Sequence, residues 1–111
     1  MNVTYTEKAK QSVEHFALLQ KATKRMEEAL KDATGLETAV WDLTEDGKGG
    51  PLYVLRLKDS ISEVTGRLAS DEIQSPAQTS FRVYRLYGKL LQNRTQKQLD
   101  KLMNMRAQSE N

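Results

Sequence analysis

The sequence has 111 residues, of which 38% are hydrophobic and 29% are charged, as is typical of a single helix-rich domain. It contains no cysteine, which excludes disulfides, thiolate nucleophiles and cysteine-based zinc or iron–sulfur sites. The net charge of +2 divides into −3 over residues 1–75 and +5 over residues 76–111. This asymmetry indicates either a charged partner or ion pairing within the chain.

The chain shows no apolar leader at its N-terminus and no apolar run near the ~20 residues that a membrane-spanning helix needs. We therefore predict a cytoplasmic protein that does not act at a membrane.

The first predicted element is one long amphipathic helix from about Tyr5 to Asp32. Thr6 is its predicted N-cap, and Gly35 is a natural left-handed residue beyond its end. The prediction depends on apolar residues that recur at intervals of three and four, the period of one helix face: Val13, Phe16, Leu19, Ala22, Met26, Ala29, Leu30 and Ala33.

The apolar period changes to two after this helix, which predicts a β-hairpin. Its strands are Glu37–Leu43 and Leu52–Lys58, and the turn-rich stretch between them contains Asp46-Gly47. An isolated hairpin is only marginally stable, so its edges need a third strand or a second subunit. The predicted inner face consists of Ala39, Trp41, Leu43, Tyr53, Leu55 and Leu57, with Trp41 as a core anchor.

A capping-box pattern at Ser60-Ile61-Ser62-Glu63 predicts a short helix to about Leu68. The β-branched residues in this segment and Gly66 leave a third strand open as the alternative. Ser70–Gln78 is then a connector, and Ser75-Pro76 is a suitable start for a C-terminal helix.

The C-terminal segment is amphipathic, but its apolar and basic faces both rotate by about 100° near Asn93. The helix either breaks there or continues with its two halves facing different surroundings, and the pattern favours a break or bend. From about residue 104 we expect a frayed polar tail. The first apolar face holds Val83, Tyr84, Leu86, Tyr87, Leu90 and Leu91, which predicts core packing for the tyrosines, and the second holds Leu99, Leu102, Met103 and Met105.

No group of residues indicates catalysis or metal binding. His15 is the only histidine, and without cysteine it forms no standard nucleophile–base pair. The stretch from Asp42 to Gly47 begins like a calcium-binding loop, but Tyr53 occupies the position where a bidentate glutamate belongs. We therefore predict that the protein is not an enzyme and has no cofactor, metal or catalytic site.

These patterns predict a single α+β domain over residues 1–111, with a long N-terminal helix, a hairpin that can carry a third strand, and a C-terminal helix or broken helix pair packed over the sheet. The predicted function is a non-catalytic protein–protein interaction module that acts as a homodimer. The alternative is nucleic-acid binding through the basic C-terminal segment. The candidate interaction surface is Arg82, Arg85, Lys89, Arg94, Lys97, Lys101, Met103 and Met105.

Overall fold

The computed structural model describes the backbone from Met1 to Ser109 and the side chains from Met1 to Arg106. It has an α+β fold, as predicted, in which helices pack on one face of a four-stranded sheet. The strands lie in the order β1-β2-β3-β4, with β1 parallel to β2 and the other neighbours antiparallel. In chain order the elements are β1 (Asn2–Tyr5), α1 (Glu7–Lys10), α2 (Val13–Ala29), β2 (Leu36–Glu45), β3 (Pro51–Asp59), β4 (Glu63–Ala69), α3 (Ser70–Gln74) and α4 (Pro76–Ser109).

The N-terminal region differs from the predicted single helix, because a strand and a separate short helix precede α2. Thr6 does cap a helix, accepting the Ala9 amide at 3.2 Å, but this helix is the four-residue α1. The predicted helix is interrupted at Ser12, which is the N-cap of α2 and whose hydroxyl accepts the His15 amide at 3.4 Å. The strand β1 was not predicted because its four residues are too few to show a periodicity.

The predicted short helix after Ser60 is wrong, and the alternative third strand is correct. The carboxylate of Asp59 accepts the amides of Ile61 at 2.8 Å and Ser62 at 2.7 Å, which makes a tight turn between β3 and β4. The Ser60-Ile61-Ser62-Glu63 stretch therefore forms part of a turn and a strand instead of a helix cap. In β4, Val64 and Leu68 point into the core, as the period of two requires.

The hydrophobic core lies between the inner face of the sheet and the two long helices, α2 and α4. Trp41 is fully buried at its centre, which confirms its prediction as a core anchor. The predicted hairpin faces also meet in the core, with Trp41 in register with Leu55 and Ala39 in register with Leu57. β4 covers the outer edge of β3 from Leu52 to Lys58, and β1 covers the outer edge of β2 from Thr38 to Trp41.

The predicted break near Asn93 is wrong, since α4 runs without interruption from Pro76 to Ser109. Ser75 caps its start by accepting the Gln78 amide at 3.3 Å, as the Ser-Pro pair indicated. The rotation of the apolar face reflects a continuous helix whose first half packs on the core and whose side chains from Gln98 to Arg106 are exposed. Helix continues past residue 104, where the composition predicted a frayed tail, and residues 110–111 lie outside the described part of the chain.

Candidate interaction surfaces on the C-terminal helix

An ion pair holds the middle of α4 to the turn between β3 and β4. Asp59 is 1% exposed, and Arg94 donates from Nε to its Oδ2 at 2.8 Å while Nη2 lies 2.7 Å from the same oxygen. Burial raises the pKa of Asp59, but hydrogen bonds from the Ile61 and Ser62 amides and from Arg94 outweigh it, so the net pKa is lowered. Arg94 thus acts as an internal anchor that fixes the direction of α4.

Two further hydrogen bonds hold α4 to the same turn, one helical turn before Arg94 and one after it. Lys97 donates from Nζ to the carbonyl of Ile61 at 3.0 Å, and the Ser62 hydroxyl donates to the Leu90 carbonyl at 3.4 Å. From Gln98 to Arg106 every side chain is exposed. The helix therefore extends beyond the sheet contact at Lys97 by 12 residues, or about 18 Å.

One flank of α4 forms a basic groove with β4. Arg82 donates to the carbonyl of Arg67 and lies 3.4 Å from the Glu72 carboxylate. Arg85 and Lys89 are exposed on the same flank and line the groove, whose volume is about 730 Å³. Its floor is apolar and its rim is cationic, with Leu55, Leu68, Val83 and Leu86 below and Arg67, Arg82, Arg85 and Lys89 above.

A different flank of α4 carries an exposed apolar stripe. Phe81 is 63% exposed and Tyr84 58%, so the prediction of Tyr84 as a core residue is wrong; Tyr87 is half-buried. Toward the other end, Leu102 is 61% and Met105 57% exposed. We define the exposed stripe as the eight residues at alternating intervals of three and four, the spacing of a helix-pairing seam: Phe81, Tyr84, Gly88, Leu91, Thr95, Gln98, Leu102 and Met105.

The structure divides the predicted interaction surface into three groups. Arg82, Arg94 and Lys97 have partners within the chain. The second group, Arg85 and Lys89, lines the groove. The third group lies on the projecting end of α4 and consists of the exposed Lys101, Met103 and Met105.

Sequence reasoning placed Tyr84 in the core and left Phe81 out of the interaction surface. Phe81 and Tyr84 do belong to a row of residues spaced alternately by three and four, but Gly88, Thr95 and Gln98 interrupt the apolar character of that row. The two aromatic residues at the start of α4 therefore looked unrelated to the methionines at its end.

His15 and Tyr53 are partners of each other near the core, whereas the buried Nε1 of Trp41 has no hydrogen-bond partner in the described part of the chain. His15 Nδ1 lies 2.7 Å from the hydroxyl of Tyr53, a ring that is 1% exposed. Burial raises the pKa of Tyr53 above its ordinary value, which is already well above neutral pH. In the part of the chain that the structure describes, no three acidic or histidine side chains come together as a metal site.

None of the helices in the described part of the chain combines the length and the apolar character that a bilayer crossing requires. Comparison of the sequence with models of protein families and with curated proteins gives no match.

Proposed function

We propose that this chain is a non-catalytic protein-interaction module that forms a homodimer through the exposed stripe of α4. The observation that carries the proposal is the row of large apolar side chains in water along one side of a helix, from Phe81 to Met105. These residues are about 36 Å apart along the helix axis. Five of the eight stripe residues are large, apolar and exposed, and Gly88, Thr95 and Gln98 lie between them. A cluster of exposed apolar side chains on one side of a helix marks an interaction site.

The spacing of the stripe is self-complementary in an antiparallel arrangement. Its intervals of 3, 4, 3, 4, 3, 4 and 3 residues read the same from both ends. In a symmetric pair of antiparallel helices, Phe81 therefore lies opposite Met105 of the partner subunit, and Tyr84 lies opposite Leu102 of the partner subunit. This arrangement gives the same patch on both subunits, as a two-fold interface requires.

The residues at the two ends of the stripe suit each other chemically. An antiparallel pair brings an aromatic ring at one end of each helix against a flexible side chain at the other, and sulfur–aromatic contacts are favourable. Gly88, which lies opposite Gln98 of the partner subunit in this register, has no side chain, and no atom of its own chain lies within 4 Å of the position that a β-carbon would take.

The projecting end of α4 gives a second reason for a partner. Isolated helices shorter than about 12–15 residues are marginal in water, and most helices in proteins are stabilised by burying an apolar face. The nine residues from Gln98 to Arg106 have no such burial within the described chain, since all their side chains are exposed. A second α4 supplies the missing apolar surface.

The basic flank does not oppose this pairing strongly. Arg82 and Lys89 lie more than a third of a turn around α4 from the centre of the exposed stripe, and Arg85 lies about 100° from it. Arg82 and Lys89 point away from the proposed contact, so two positively charged chains meet through their apolar sides.

The first test is the mass in solution, measured by size-exclusion chromatography with light scattering at about 10–200 μM, a range that detects micromolar dimers. We expect dimers for the native chain and monomers for Leu102→Glu. Asn104→Glu is the matched control, because it adds the same charge at an exposed position off the stripe. A native chain that remains monomeric throughout this range contradicts the proposal.

The second test is a charge-pair rescue. Tyr84→Lys combined with Leu102→Glu places opposite charges across the antiparallel interface, and we expect this double variant to recover dimers that Leu102→Glu has lost. The two residues are about 27 Å apart within one chain, so they cannot pair internally. Dimers of the single variant, or no recovery in the double variant, contradict the antiparallel register.

Nucleic-acid binding through α4 has less support. Arg82 and Arg94 are paired with acidic residues of their own chain, and Lys97 is bonded to a backbone carbonyl. The basic flank thus offers fewer cations to phosphates than the sequence count indicates.

A further inference from the structure

We propose that the basic groove between β4 and α4 receives an extended acidic peptide, which joins the sheet as a fifth strand beside β4. The groove lies on a different flank of α4 from Tyr84 and Leu102, and Gly88 of the exposed stripe lies at the boundary between the two surfaces. Its occupant is defined by two features of the groove: an open strand edge and a row of cations beside it.

The open edge follows from the hydrogen bonds of β4. Arg82 donates to the carbonyl of Arg67, and the Ala69 amide donates to Glu72 at 2.9 Å, so the odd-numbered residues turn their backbone groups away from β3. The carbonyl of Ser62 accepts the Asp59 amide at 3.0 Å. The even-numbered residues of β4 therefore point their backbone N–H and carbonyl groups toward β3. Thr65, between them, therefore presents its N–H and carbonyl outward.

The outward groups of Thr65 are free to bind another strand. No backbone or side-chain group in the described part of the chain bonds them, and the residue is exposed. Arg82 and Lys97 occupy carbonyls near the two ends of this edge, at Arg67 and Ile61. The open stretch is thus short and bounded, which suits a single peptide segment rather than continuous strand stacking.

The cations follow the direction of this edge. α4 runs antiparallel to β4, because Arg82 contacts Arg67, Leu86 lies over Gly66 and Leu90 contacts Ser62. Arg85 and Lys89 are four residues apart, or about 6 Å along the helix. Side chains on one face of a strand are spaced by about 6.6–6.8 Å, so carboxylates at every second position match the two cations.

The same groove is poorly suited to nucleic acid. Sequence-tolerant binding of single strands depends on aromatic side chains on which bases stack. The exposed aromatic residues of α4, Phe81 and Tyr84, lie on the other flank, and no aromatic residue lines the groove. The apolar floor and the free backbone edge favour a peptide.

The experiment is a fluorescence-anisotropy titration of the full chain with a labelled ten-residue peptide of alternating threonine and glutamate. A peptide with glutamine in place of glutamate tests the charge, and a ten-nucleotide thymidine oligomer tests nucleic acid. We expect salt-dependent binding of the acidic peptide alone. No anisotropy change up to about 1 mM peptide, or binding of the oligomer without the peptide, overturns the proposal.

Two variants with equal charge change locate the site. Arg85→Glu with Lys89→Glu is expected to weaken peptide binding by about tenfold or more. Lys21→Glu with Lys24→Glu reverses two exposed charges on α2 and is expected to change the peptide affinity by less than about twofold. Equal losses in both variants would show that only the net charge matters and would overturn the site.

Amide hydrogen exchange tests the strand geometry. The Thr65 amide should exchange more slowly with saturating peptide, because its N–H becomes part of a ladder. Peptide binding that leaves the exchange of Thr65 unchanged would rule out a fifth strand, even if the charge dependence is as expected.

Discussion

Removing the Asp59 carboxylate is expected to destabilise the fold strongly. In Asp59→Ala the amides of Ile61 and Ser62 lose their acceptor and Arg94 loses its counter-ion. Breaking a buried ion pair in this way costs about 3–5 kcal/mol. Because the Arg94 side chain is 22% exposed, water compensates part of the loss, and we expect about 3 kcal/mol. This is a large fraction of the ~5–15 kcal/mol of a typical domain.

The converse variant should be milder. Arg94→Ala leaves Asp59 with its two amide donors, and we expect a loss of about 2 kcal/mol, the value of a hydrogen bond to a charged group. The double variant should cost less than the sum, because both changes remove the same contact.

Urea unfolding followed by the emission of Trp41, the only tryptophan, measures these free energies. All variants must be compared at one protein concentration, because dimerisation adds to the apparent stability. Lys101→Ala, on the exposed part of α4, is the control and should change the free energy of unfolding by less than about 0.5 kcal/mol. An equally small change for Asp59→Ala would refute the anchoring role of this pair.

Three further predictions concern the same fold. In acid, the contribution of Asp59 should be present above its unfolded pKa of about 3.9 and lost as the pH falls through its lowered folded pKa, so Asp59→Ala should flatten the acid limb of stability against pH. In alkali, the raised pKa of Tyr53 means that the unfolded chain loses its proton first, so the loss of stability above about pH 10 should be smaller in Tyr53→Phe. Gly66→Val should cost about 1–3 kcal/mol in urea unfolding, because a β-carbon there would lie 3.2 Å from both Leu86 methyl carbons, whereas Gly88→Ala, in open space, should leave monomer stability within about 1 kcal/mol.

The sequence predicted those parts of the fold that have a strong period. The alternation around Trp41 and Tyr53 was sufficient for the hairpin and its inner face, and the helical period identified α2. The start of the chain was not predictable in this way, since β1 is stabilised by its register with β2 and has only four residues. Tertiary pairing, rather than local preference, determines its structure.

The segment after Asp59 shows why a local motif can be misleading. Ser60 to Glu63 has the residues of a capping box, yet the carboxylate of Asp59 captures the amides that a helix cap would use. The buried partner of that carboxylate, Arg94, is 35 residues further along the chain. No local pattern indicates such a contact, so neither the turn nor the anchoring of α4 follows from the sequence.

The same contact explains why the sequence alone did not distinguish the residues of the candidate interaction surface from one another. The charge count grouped all the cations of α4 together, whereas the fold assigns Arg94 and Lys97 to internal contacts and Arg85 and Lys89 to a groove. The rotation of the apolar face was visible in the sequence. Whether the helix breaks there or continues past the sheet depended on the tertiary structure.

The most direct test of the central proposal is the distance between two spin labels in the dimer, measured by double electron–electron resonance. The chain has no cysteine, so Gln78→Cys and Gln96→Cys each introduce one labelling site per subunit. An antiparallel pair in the proposed register predicts a separation of about 45 Å between the two labels at residue 78 and under about 20 Å at residue 96. Short distances at both positions would show a parallel dimer, and the absence of any dipolar coupling at residue 78 would show that α4 does not pair in this register; either result contradicts the account.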